Sequence, residues 1–186
     1  NTSICLALMG HKVVTIDLDL GGANMHTCLG LPIPEKTLSD FVSNKVSNIN
    51  ELLVPTPIKN LQIISGAQDD LGIANLKQMH KNKILSKLNE LDADYVLLDL
   101  GAGTTYNTLD FFISADKGML VILPEPTSIE NTYRFIKSVY HRRLKMIEVS
   151  QLQTLVAVTK ASSFSKAAEK LEVTQSAISQ SIKNIE

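Results

Sequence analysis

The first 145 residues alternate between two patterns. Short, strongly apolar runs rich in β-branched residues occur at KVVTIDLDL (12–20), LQIIS (61–65), YVLLDL (95–100) and GMLVIL (118–123). Each is the length of a strand buried on both faces, as in a parallel sheet. Between them the apolar residues recur every three or four positions, the spacing of helices. Residues 77–91 carry Met79, Ile84, Leu85, Leu88 and Leu91; residues 105–115 carry Leu109, Phe112 and Ile113; residues 128–144 carry Ile129, Tyr133, Ile136, Val139, Tyr140 and Leu144. Residues 2–9 read as the end of a further helix, stopped by Gly10. Strands alternating with helices predict an α/β fold, a partial doubly wound and mostly parallel sheet covered on both faces. Residues 30–60 hold four prolines and only short polar helices, and are expected to be a surface excursion.

The pattern changes near Met146. Beyond it there is no Gly, no Pro and no strand-like run. Residues 151–161, 165–171 and 174–186 read as three short helices, with Phe164, Ala168, Leu171, Ile178 and Ile182 as a small shared core. Two domains follow, 1–145 and 146–186, the second a small all-α unit. Just before the seam, residues 134–145 carry Arg134, Lys137, Arg142, Arg143 and Lys145 and no acid.

Composition narrows the function classes. With 44% hydrophobic and 20% charged residues the chain reads as globular, and its net charge of −1 excludes a polycation. Cys5 and Cys28 have no metal-like spacing, and the four histidines are scattered. No apolar run approaches the roughly 20 residues of a membrane span. The chain starts at Asn1 and has no signal-peptide pattern, so the expected setting is a piece of a cytoplasmic protein.

Two acidic motifs end apolar strands: Asp17 and Asp19 in TIDLDLGGAN, and Asp99 in YVLLDLGAG. Open α/β sheets bind ligands beyond the carboxyl ends of their strands. An acid there can hold Mg²⁺ directly or through water. Gly101 and Gly103 let the backbone approach an anion closely. A single strand-end Asp also serves to cap the next helix or turn; two such motifs in order, each followed by glycines, point more sharply to a nucleotide site.

These residues resemble a known family. HKVVTIDLDLGGANMHTCLG is similar to the switch I strand and loop of the MinD/ParA group of P-loop ATPases, in the branch that includes the flagellar-number regulator FlhG. YVLLDLGAGTTYNTLDFFISAD resembles their Walker B strand and switch II, and LVILPEPTSIENTYRFIK their adenine-side loop and following helix. The resemblance implies ATP and Mg²⁺ as cofactors. By it, Asp19 would orient the attacking water, Asp17 would support Mg²⁺ and Asp99 would hold its shell. Gly101 and Gly103 would sense the γ-phosphate, and Pro124, Glu125 and Pro126 would lie beside the adenine. The family's Gly-rich loop with its two lysines is expected immediately before Asn1, and its later strands and membrane-binding helix after Lys145. The 186 residues contain no GxxxxGK[S/T] run. The expectation is that this chain binds ATP weakly and does not hydrolyse it.

In residues 146–186 the third helix places Ile178, Ile182 and Ile185 on one side and Gln175, Ser176, Ser179, Gln180 and Lys183 on the other. Ser165 and Thr174 are positioned to cap the second and third helices. The bland alternative is a helical appendage with a solvated polar face. SFSKAAEKLEVTQSAISQSIKNIE, however, resembles the helix-turn-helix of LysR-type transcription regulators, without the wing or effector domain. That resemblance implies DNA contact in the major groove by Thr174, Gln175, Ser176, Ser179 and Lys183, and a homodimer. With four Lys and four acids the segment is neutral, so DNA affinity is expected to be low. Three functions therefore compete: a DNA-binding regulator, an ATPase switch for positioning flagella, division sites or plasmids, and a fused or truncated product with neither activity, for which Met146 at the seam argues.

Overall fold

The computed structural model describes residues 1–19, 22–66, 76–161 and 163–183; for residues 145–153, 155, 159 and 180–183 it describes the backbone alone. Two compact units result, Asn1–Ile122 and Leu123–Glu186.

The first unit is built on a four-stranded sheet. Its elements are α1 (Thr2–Leu8), β1 (Val13–Asp17), α2 (Met25–Cys28), α3 (Leu38–Val42), a 3-10 turn (Ile49–Leu52), β2 (Val54–Pro55), β3 (Leu61–Ile64), α4 (Gln78–Leu88), β4 (Tyr95–Asp99) and α5 (Tyr106–Ser114). The strand order is β2-β3-β1-β4. β1 pairs in parallel with both β3 and β4, and only the two-residue β2 runs antiparallel. The sheet is thus mostly parallel, as the apolar runs require, and β1 at its centre is buried at every residue. Gly10 takes φ 98° and its N–H bonds to Ala7, ending α1 in the left-handed conformation that glycine adopts without strain.

Strand pleating divides the core. Val13 and Leu61 face Ala7 and Ile4 of α1. Val14, Ile16 and Ile64 face the other way, onto α3, α4 and α5. In that second layer Lys81 of α4 meets Asp110 of α5 at 2.5 Å, both side chains almost fully buried. Lys83 reaches the Phe41 carbonyl at 2.5 Å and sits over the Phe41 ring, tying α4 to α3.

Two expectations are corrected here. Residues 30–60 are no surface excursion: Leu38, Phe41, Val42, Val46, Ile49 and Leu52 are all core residues. Each short helix buries two or three apolar side chains, too few to show a period. Residues 118–123 form no strand and are exposed throughout, Val121 at 87%. Strand propensity is local, and a run becomes a strand only when it actually pairs with a neighbour, which residues 118–123 do not. The sheet ends at β4, and among the described residues no strand pairs with its outer edge.

The second unit contains α6 (Pro126–Ala161), α7 (Phe164–Lys170) and α8 (Gln175–Lys183). With no Gly or Pro between Thr127 and Ala161 the helix has no reason to break, so α6 runs unbroken through position 146 and absorbs the first of the three expected short helices. Thr154, Ala157, Ala167, Ala168 and Ile178 form the buried centre. Phe164, expected in that core, is 40% exposed, and Ile182 has no described side chain. The turn between α7 and α8 places Glu172 at φ 54°, the left-handed geometry of a tight helical turn. No helix among the described residues is long and apolar enough to cross a membrane.

Candidate functional site

The site lies at the carboxyl ends of the parallel strands. Asp17 closes β1 in direct register with Asp99, which closes β4. The two strands are tied once more beyond them, Leu18 N donating to the Asp99 carbonyl at 2.8 Å. Asp17 is 3% exposed. Its carboxylate accepts from Asp19 N and Met25 N, both at 3.1 Å, and so shapes the loop that follows. Burial pushes the Asp17 carboxyl above its ordinary value; the two backbone N–H donors oppose that, and the neighbouring charges of Asp99 and Asp19 add to it.

Asp19 sits beyond the strand and is exposed. Its carboxylate lies against Gly101: a Cβ at that position would stand 2.8 Å from Asp19 Oδ1. It also flanks Gly22, whose N–H bonds to the Asp19 carbonyl at 3.0 Å. Gly103 takes φ 98°, open to glycine and strained for other residues. The loop then enters α5, where Thr105 Oγ1 caps Thr108 N at 3.3 Å.

The fold therefore brings Asp17, Asp19, Asp99 and Gly101 to one place, with Gly103 on the same loop. Pro124 and Glu125 belong to the second unit, as an exposed turn leading into α6, whose first residue is Pro126. Two neighbours of Asp17 were not legible in the sequence. Thr15 Oγ1 and Ser65 Oγ are buried and have no hydrogen-bond partner among the described residues. Neither belongs to a motif, and only the strand register places them on one face with Asp17. The donor set is all oxygen, which suits a hard cation. Among the described residues no three His, Cys, Asp or Glu side chains are placed to ligate a metal directly.

In the second unit, α8 presents Gln175, Ser176 and Ser179 as exposed residues at its start. Thr174 Oγ1 accepts from Ala177 N at 3.2 Å and caps the helix. The cap of α7 is Ser163, two residues before the expected Ser165; Ser165 Oγ instead reaches Gln175 at 3.3 Å and links α7 to α8. Lys183 ends α8, and its side chain lies outside the described residues.

A mostly parallel sheet with acids at its strand ends, followed by a helical unit, is the fold of a nucleotide-switch ATPase domain joined to a helix-turn-helix. Comparison with known proteins agrees. The AAA domain family matches residues 1–154, and the family of bacterial regulatory helix-turn-helix proteins of the lysR type matches residues 149–186. The antiactivator FleN of Pseudomonas aeruginosa is 30% identical over 138 residues, covering 74% of this chain and 49% of that protein. The septum site-determining protein MinD of Helicobacter pylori is 30% identical over 139 residues, covering 73% and 50%. The structure of MinD from Pyrococcus horikoshii complexed with Mg-ADP superposes with a TM-score of 0.56 at 25% identity, covering 69% of this chain and 52% of that one. The chain spans about half the length of the curated relatives it matches. It belongs to the AAA domain family, as a MinD/ParA-type ATPase domain, and its last residues carry a LysR-type helix-turn-helix.

Proposed function

We propose that the first unit is the acidic, cation-handling half of an ATP-dependent switch. The observation that carries this reading is the packing of the Asp19 carboxylate onto Gly101, which joins the loop after β1 to the loop after β4. A change at either loop must then move the other. A divalent cation bound here would neutralise phosphate charge, and Asp17 and Asp99 would hold its water shell. Asp19, exposed at the mouth, is placed to orient an attacking water. Gly101 and Gly103 keep the loop bare for a γ-phosphate. Phosphate binding itself needs backbone N–H groups at a helix N-terminus and a lysine, and no such run occurs in the 186 residues. For these 186 residues taken alone, weak Mg-ATP affinity is the expected outcome. Isothermal titration with Mg-ATP should show no micromolar binding; micromolar affinity would overturn the reading. A longer chain bearing a GKGGxGK-type loop ahead of Asn1 should bind and hydrolyse ATP.

A second reading rests on α8. Its exposed Gln175, Ser176 and Ser179 form the polar start of a recognition helix, with Thr174 at the cap and Lys183 assigned to phosphate contact. Gln reads adenine bidentately, and Ser bonds to bases or phosphates. The second unit is accordingly a weak DNA-binding module of a cytoplasmic transcription regulator, acting as a homodimer. Gel-shift titrations should detect binding only at low salt; nanomolar affinity independent of salt would contradict it.

A further inference from the structure

The strongest unexplained feature of the first unit is a buried hydroxyl. Ser65 is 1% exposed, follows the last residue of β3, and its Oγ has no partner among the described residues. The parallel pairing of β1 with β3 runs to Ile16 opposite Ile64, so Ser65 stands one step further, opposite Asp17. The two chains are still in contact there: a Cβ on Gly66 would lie 2.7 Å from the Asp17 carbonyl. Residues opposite one another in adjacent strands share a face. Asp99 is in register with Asp17 on the other side. Ser65, Asp17 and Asp99 therefore form one row across three strands, on the sheet face that packs against α1. Thr15, two residues before Asp17 on that face, has a second orphaned hydroxyl.

Buried hydroxyls are normally satisfied, and an unsatisfied one costs stability. Two of them beside a buried carboxylate mark a place built for an oxygen-rich guest. We propose that Ser65 is a positioning residue of the acid site, its hydroxyl bonding a hydration water of a divalent cation held by Asp17. This rests on the cation-handling reading above. The guest is a small hard cation, because every group in the row offers oxygen and Mg²⁺ keeps most of its waters. A group in this outer position orients the waters that contact the ion.

The test uses the whole 186-residue chain and Mn²⁺ alone, with bound and free ion distinguished by electron paramagnetic resonance. Ser65→Ala should weaken Mn²⁺ binding about tenfold, and Asp17→Asn should abolish it. Without metal, Ser65→Ala should melt at a higher temperature than the wild type, since the mutation removes an unpaired polar group. Unchanged Mn²⁺ affinity in Ser65→Ala, with binding lost in Asp17→Asn, would refute the role of Ser65 and leave the cation site standing. Equal affinity in the wild type and Asp17→Asn, or no binding by either, would remove both. A lower melting temperature for metal-free Ser65→Ala would show that the hydroxyl serves the fold instead.

Discussion

The carboxylate of Asp19 occupies the space that a side chain at position 101 would need, with Asp19 Oδ1 only 2.8 Å from where a Cβ would stand. Glycine at 101 is thus required by proximity and not by backbone angle, since its φ lies outside the left-handed range. Two loops from different strands are fitted to each other through one missing methyl group.

Gly101→Ala follows directly. The obstructing atom is the tip of an exposed side chain, so the fold yields by swinging Asp19 aside. The stability loss should stay within about 1 kcal/mol, while divalent-cation affinity falls roughly tenfold or more. Paired thermal melts and Mn²⁺ titrations check this; a large stability loss with unchanged cation binding would show that Asp19 plays no part in the site.

The Lys81–Asp110 pair gives a second outcome. Both side chains are about 5% exposed and joined at 2.5 Å, linking α4 to α5. Removing one partner leaves a buried charge with its main counter-ion gone. Lys81→Met should cost about 3–5 kcal/mol, and the double variant Lys81→Met/Asp110→Leu much less than the sum of the two singles. Urea unfolding of the four members of the cycle measures the coupling, and additive losses would refute it.

Acid has opposite effects at two carboxylates. Asp17 is raised above the ordinary 3.8, chiefly by burial, so the folded protein takes up a proton that the unfolded chain does not. Metal-free stability should then increase as pH falls through the raised value toward 3.8, and Asp17→Asn should lack that component. Cation affinity should fall over the same window, because the ion competes with the proton. Asp40 behaves the other way: the Thr37 N–H holds it below 3.8, so its contribution is present above that value and lost only in stronger acid. The two effects have opposite signs, and urea midpoints against pH, compared between the wild type and Asp17→Asn, isolate the first.

In the second unit, Gln175→Ala should weaken sequence-specific DNA binding by about 1–3 kcal/mol if Gln175 reads a base. Binding to random DNA at low salt should change little. An unchanged specific complex would remove Gln175 from the recognition surface.

How much is legible in the residues differs between the elements and the contacts among them. The parallel strands, α4, α5, α7 and α8 were legible from apolar residues at a fixed period, a property of local chain geometry, whereas the pattern predicts two helices, 128–144 and 151–161, where α6 runs as one. Asp17, Asp19, Asp99 and Gly101 were legible because they follow those strands directly. The core role of Phe41 and Leu38 was hidden by helices too short to show periodicity. GMLVIL misled for a complementary reason: strand propensity is local, but a strand needs a partner.

The sequence by itself determined the three parallel strands and the longer periodic helices, which strand ends carry acids, and that the chain joins an ATPase-type domain to a helix-turn-helix. Only the tertiary structure decided which atoms meet: Asp19 with Gly101, Lys81 with Asp110, and Ser65 in a row with Asp17 and Asp99. Those meetings depend on strand order and register, which are set by the pairing of segments some 50 to 80 residues apart and leave no periodic trace in any one of them.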